Sequence, residues 1–159
     1  MKHISILGST GSIGCNTLKV VEHLGDIRVT AMAAGRNIAR FIEQVTTFKP
    51  EIAACADEHG AEQLERALHN LGSFVPKILV GDEGLIAVAT ADRVDTVVSA
   101  TVGAVGFVPT LRAIESGKRV ALANKETLVM AGELMTAAAA SSGAEILPVD
   151  SEHNAIHQC

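Results

Sequence analysis

Residues 3–14 read HISILGSTGSIG, and the fold is decided there. An apolar run at 4–7 stops at Gly8, and glycines recur at Gly11 and Gly14. Residues 15–22 then carry Leu18 and Val21 at helical spacing. A buried strand passing through a glycine turn into a helix N-terminus is the arrangement that holds a pyrophosphate. The first glycine makes the turn, the second admits the phosphates to the backbone, and the third lets the helix pack on the strand. Free N–H groups and the helix dipole then favour the negative charge. A positive φ at Gly11 would suit glycine alone. The spacing is G-x-x-G-x-x-G rather than G-x-G-x-x-G, so the motif alone also admits a tight turn that binds nothing. An ATP or GTP P-loop fails, because Ile13 and Gly14 stand where its second glycine and its lysine belong.

The chain has 159 residues, enough for one domain with a full core and too few for two large ones. It is 48% hydrophobic but 3% aromatic, which suits an aliphatic sheet under Ala-rich helices. The dearth of aromatic rings argues against single-stranded nucleic acid, which stacks on such rings. A net charge of −5 opposes any polyanion partner. Cys15, Cys55 and Cys159 are odd in number and lack zinc spacing, so reduced thiols in a cytoplasmic protein are expected. The first strand begins almost at once, leaving no room for a signal peptide, and no apolar run reaches membrane-spanning length.

Beyond the glycine loop, strands are expected at 27–33, 52–55, 78–80, 96–100, 120–122 and 146–149. Helices are expected at 38–48, 61–71, 83–91, 108–115 and 126–140. Unbroken strand–helix alternation with short connections predicts a Rossmann-like, doubly wound α/β fold: a mostly parallel sheet with helices on both faces. Ligands of such sheets sit beyond the carboxyl ends of the strands, where strand order reverses. The loops to inspect are therefore 8–14, 34–37, 100–107, 123–126 and 150–154.

The end of the second strand discriminates between nicotinamide cofactors. An acid there accepts from the ribose hydroxyls of NAD, and an arginine meets the 2′-phosphate of NADP. This chain has Gly35-Arg36-Asn37 and no acid, so NADP is favoured through charge-assisted hydrogen bonds. Arg36 as a solvated residue and Asn37 as a helix cap are the alternatives, and Asn37 can serve as both. After the last strand come Asp150, Ser151, Glu152, His153 and Asn154. If the extended conformation lasts two residues further, Asp150 and Glu152 project to one side as a site for Mg²⁺ or Mn²⁺. Ser151 with a following acid is equally an ordinary helix start. His153 and His157, four apart without a third ligand, read as a solvated helix face.

In this order, the segments GSTGSIG, AGRN, LANKE and PVDSEHNAI resemble the 1-deoxy-D-xylulose 5-phosphate reductoisomerase family, over the whole chain. The resemblance implies an NADPH- and metal-dependent oxidoreductase of non-mevalonate isoprenoid biosynthesis. Such an enzyme rearranges 1-deoxy-D-xylulose 5-phosphate and reduces the product to 2-C-methyl-D-erythritol 4-phosphate. By motif, Thr10, Gly11, Ser12 and Ile13 would contact the cofactor phosphates. Gly35, Arg36 and Asn37 would hold the 2′-phosphorylated ribose, with Asn124 and Glu126 also at the cofactor. Lys125, Ser151 and Glu152 would meet the substrate, a phosphorylated sugar, with Lys125 and Glu152 as catalytic residues. Asp150 and Glu152 would ligate the divalent metal, and with the family in view this outweighs the helix-start reading.

Family members continue past HNAIHQC into parts that carry a third acidic metal ligand, a substrate-phosphate site, a closing loop and most of the homodimer contacts. Residues 1–149 are thus expected to form the NADPH-binding domain, and 150–159 the start of a catalytic domain cut short. Cofactor binding without turnover is the expectation for these 159 residues alone. Two rivals stay open: the first domain of another NADP-dependent dehydrogenase, such as an amino-acid semialdehyde enzyme, and a non-catalytic NADPH-sensing module.

Overall fold

The computed structural model describes residues 1–159, the side chains of residues 151–153 excepted. Seven strands alternate with helices along the described residues. They run β1 (Lys2–Leu7), α1 (Ser12–Leu24), β2 (Ile27–Ala34), α2 (Ile38–Phe48), β3 (Ile52–Cys55), α3 (Glu58–Asn70) and β4 (Lys77–Val80). There follow α4 (Gly81–Thr90), β5 (Thr96–Ser99), a 3-10 turn (Gly103–Gly106), α5 (Phe107–Glu115), β6 (Arg119–Leu122), α6 (Lys125–Ser142), β7 (Ile146–Pro148) and α7 (Ser151–His157).

The strands form one sheet in the order β4-β3-β2-β1-β5-β6-β7, every neighbouring pair parallel. Strand residues alternate between two cores, as parallel strands covered on both faces must. On one side Ile6, Met32, Ala53 and Val98 meet Leu18 of α1, Phe41 and Val45 of α2, and Leu64 and Leu68 of α3. On the other, Leu7, Ala33, Val97 and Val120 meet Val88 of α4, Ile114 of α5 and Met135 of α6. The doubly wound α/β class read from the alternation is therefore the fold, with the sheet wholly parallel. Strand order reverses between β1 and β5.

Helix α2 and strand β3 fall on their expected bounds, and other helices begin earlier than their apolar stripes suggest. Asp57 caps α3 by accepting from the Gly60 N–H at 2.8 Å, drawing residues 58–60 into the helix. Strand β2 carries a bulge: Ile4 pairs with Val29, but Ser5 pairs with Ala31. The unpaired Thr30 turns its hydroxyl to His3 Nδ1 at 2.9 Å, and the side-chain alternation of β2 resets there. Helix α6 is kinked at Ala131, whose φ of −149° is not helical.

The extended run expected beyond the last strand is not found. β7 ends at Pro148 and the chain turns at Asp150 (φ −57°, ψ 135°) into α7. Strand alternation therefore does not place Asp150 and Glu152 on one side, because the backbone is already helical from Ser151, with Asp150 in the cap position. Among the described residues, no helix is long and apolar enough to cross a membrane.

Candidate functional site at the switch point

The five loops singled out in the sequence all leave the carboxyl ends of strands β1, β2, β5, β6 and β7. The first is the most tightly built. Gly8 has φ +84°, and a Cβ there would come within 2.6 Å of the Ala100 carbonyl oxygen beyond β5. Only glycine permits both the turn and the contact. The Gly8 and Ser9 N–H groups donate to the Ala33 carbonyl, each at 2.9 Å, and the Gly11 N–H donates back to Gly8 O at 3.1 Å. Gly14 lies beneath, its Cα against the backbone of Gly8 and Ser9. The turn-making and helix-packing roles expected of Gly8 and Gly14 are thus both present.

The positive φ expected at Gly11 is absent. Gly11 is extended at φ −73°, ψ 174°, because it is the cap residue of α1 and the reversal has already been made at Gly8. Among the described residues no side chain caps that helix, whereas Asn37, Asp57 and Asn124 cap α2, α3 and α6. The first N–H groups of α1, at Ser12 and Ile13, therefore keep their hydrogens for an outside acceptor, with the helix dipole behind them. Thr10 and Ile13 are half-buried, while Gly11 and Ser12 are exposed.

Gly35, Arg36 and Asn37 stand exposed at the end of β2. Asn37 accepts from the Arg40 N–H at 3.2 Å, so the capping role weighed for it is real. Among the described residues, the Arg36 guanidinium enters no ion pair. Between these loops a cleft of about 90 Å³ is lined by Gly8, Ala34, Gly35, Cys55, Leu85, Thr101 and Val105. Its apolar walls suit a flat heterocycle more than a sugar. Burial, and then the Asp57 carboxylate, push the Cys55 thiol up to about 11, so it is neutral there.

Asn124 is turned inward, 1% exposed. Its Oδ1 accepts from the Thr127 N–H at 3.2 Å, and its Nδ2 donates to the Gly103 carbonyl at 2.9 Å. Gly106 packs against its amide and Thr101, leaving no room for a Cβ. The side chain thus ties the loop after β5 to the start of α6, where Lys125 and Glu126 are exposed in the first turn. Asp150 is half-buried at the head of α7, and the side chains of Ser151 and Glu152 lie outside the described residues. Among the described residues, no three His, Cys, Asp or Glu gather as a metal cluster. Thr101, Gly106, Leu85 and Cys55 belong to the site, although nothing local in the sequence marks Leu85 or Cys55.

Fold and site together define a Rossmann-like domain with a glycine loop at its switch point and, at the end of the neighbouring strand, an arginine in no ion pair among the described residues. The family model for 1-deoxy-D-xylulose 5-phosphate reductoisomerase matches residues 4–132, and the chain belongs to that family. The reductoisomerase of Exiguobacterium sibiricum is 51% identical over 160 residues, covering all of this chain and 41% of that protein. A crystal structure of DOX-P reductoisomerase in complex with magnesium superposes with a TM-score of 0.96 at 42% identity, over 100% of this chain and 40% of that one. The Zymomonas mobilis enzyme in complex with NADPH gives 0.92 at 40% identity, over 99% of this chain and 41% of that one. The chain spans about two fifths of the length of the curated relatives it matches.

Proposed function

We propose that this chain is the NADPH-holding part of a 1-deoxy-D-xylulose 5-phosphate reductoisomerase, a metal-dependent enzyme that isomerises and reduces that sugar phosphate to 2-C-methyl-D-erythritol 4-phosphate. One observation carries the reading. An uncapped helix behind the glycine turn leaves β1, and at the end of the neighbouring β2 stands an arginine that enters no ion pair among the described residues, the two places to which this reading assigns a pyrophosphate and a 2′-phosphate. Complexes of relatives with NADPH and with magnesium support it.

In this reading Thr10, Gly11, Ser12 and Ile13 line the pyrophosphate, with the Ser12 and Ile13 N–H groups donating to it, and Arg36 pairs with the 2′-phosphate while Gly35 and Asn37 shape the ribose turn. The apolar cleft over Cys55 and Leu85 takes the adenine face. Asn124 acts by holding the loop after β5 and the α6 start in register, and Glu126 stands at the cofactor from that turn. Lys125 presents a cation to substrate oxygens, and Ser151 and Glu152 bind the substrate. Asp150 and Glu152 supply hard oxygen ligands suited to Mg²⁺ or Mn²⁺. When bound, NADPH supplies the hydride and the metal supplies Lewis acidity toward the sugar oxygens. Residues 1–149 hold the cofactor, and 150–159 open the metal- and substrate-binding part.

Assayed alone, these 159 residues bind NADPH and do not turn over, since two carboxylates leave most of a six-oxygen metal shell unfilled. The test is calorimetric titration with NADPH and NADH, followed by an absorbance assay with Mn²⁺ and 1-deoxy-D-xylulose 5-phosphate. Equal affinity for the two cofactors refutes the cofactor reading. Turnover at the rate of the longer relatives refutes the division of labour.

A further inference from the structure

Helix α2 turns Ile38, Phe41, Gln44 and Val45 toward the core. Gln44 is 8% exposed, an amide in an otherwise apolar stripe. A buried amide costs stability unless its polar atoms are bonded. Here the bonds go to one place. Gln44 Oε1 accepts from Ser9 Oγ at 2.8 Å, and Gln44 Nε2 donates to the Ser9 carbonyl at 2.9 Å. The remaining amide hydrogen faces Cys15 Sγ at 3.6 Å. Ser9 is fully buried and also donates its own N–H to Ala33 O, so it is held by its hydroxyl, carbonyl and N–H together.

The grip lies directly behind the segment that faces outward. Cys15 Sγ lies 3.6 Å from the Ser9 and Thr10 carbonyls, and Arg40 Nη1 reaches to 3.9 Å of the same sulfur. The helix that grips Ser9 begins at the Asn37 cap, immediately after Arg36. Seven residues of helix set a span of about 10 Å between cap and grip. Arg36, just ahead of the cap, and the latch on the glycine loop are therefore joined by a short span of one helix.

We propose that Gln44 is the positioning residue of the dinucleotide site, fixing Ser9 so that the loop N–H groups stand at a set spacing from Arg36. This rests on the NADPH reading above. The ligand class it selects carries a pyrophosphate and a 2′-phosphate on one adenosine. Leucine at this position continues the apolar stripe of α2 but cannot hold Ser9, so a purely structural role and a positioning role make different predictions.

The experiment compares the parent chain with Gln44→Leu and with the Ser9→Ala/Gln44→Leu double variant. The double variant removes the orphaned Ser9 hydroxyl that the single variant leaves, and the Ser9 carbonyl keeps the Cys15 thiol at 3.6 Å, so its fold is the better preserved. Each is followed by thermal melting and by calorimetric titration with NADPH and with 2′-AMP, which has the 2′-phosphate but no pyrophosphate. The double variant is expected to melt within a few degrees of the parent and bind 2′-AMP as the parent does, but bind NADPH about tenfold more weakly. Parent-like NADPH affinity overturns the proposal. So does an equal loss for both ligands, or an unfolded double variant, since either makes Gln44 a determinant of the fold at large. A parent chain that binds no NADPH refutes the cofactor reading itself, and this inference with it.

Discussion

Gly14 lies directly under Gly8: a Cβ on Gly14 would overlap the Gly8 carbonyl oxygen and come within 2.6 Å of Ser9 Cα. The exit of β1 and the entry of α1 are thus in backbone contact, with no flexible side chain to yield. Gly14→Ala must separate helix from loop, at a cost of about 1–3 kcal/mol or more. The urea midpoint of the variant should fall accordingly, and an unchanged midpoint would mean that the loop yields freely.

Gly11→Val should behave in the opposite way. The backbone there is extended, and a Cβ would meet Gly8 O at 3.4 Å, an ordinary contact. The variant should keep the circular dichroism spectrum of the parent and melt only a few degrees lower, valine being the poorer cap, while losing NADPH, because the side chain stands where the reading brings phosphate. Normal NADPH binding would place the pyrophosphate elsewhere.

Arg36→Asp should erase most of the discrimination between NADPH and NADH. A hydrogen bond to a charged group contributes roughly 1.5–3 kcal/mol, so the parent should prefer NADPH about ten- to a hundredfold. Arg36 is exposed and in no ion pair among the described residues, so the substitution should leave the melting temperature alone. An unchanged cofactor ratio in the variant would remove Arg36 from the site.

Cys55 gives the chain a pH dependence at the alkaline end. Its thiol is raised from 9.0 to about 11 by burial and then by Asp57. Between those values the unfolded chain releases a proton that the folded chain keeps, so stability falls as pH rises, and below pH 9 the contribution is complete. The amount at stake is on the order of 2–3 kcal/mol. Urea midpoints at about pH 8 and about pH 10.5 should fall further for the parent than for Cys55→Ala. Parallel slopes would show that the thiol is not held neutral.

The layers of this fold were legible because strand and helix periods alternate without interruption from residue 4 to 148, and the glycine loop is a local signal. What escaped depends on contacts distant in sequence. The bulge at Thr30 exists only in the register of β2 against β1. The partners Gln44 and Ser9 are 35 residues apart, and inside α2 a glutamine at a core position reads as an irregularity. The positive φ was misplaced by one glycine, since three in a row at equal spacing do not say which one reverses the chain. The strand-like reading of Asp150 and Glu152 failed because a helix start and a strand exit share the same short polar residues.

The order of winding has one last consequence, for how the molecule comes together. Strands β1 to β4 are laid outward from the middle to one edge, and α4 then brings the chain back to start β5 beside β1. Gly8 belongs to the first winding, and Ala100, against which it packs, to the second. Neither half of the polypeptide can form the loop's seat by itself. Any ligand held at that seam therefore favours the joined molecule over half-assembled chains by mass action, and its capture reports that the two windings have met.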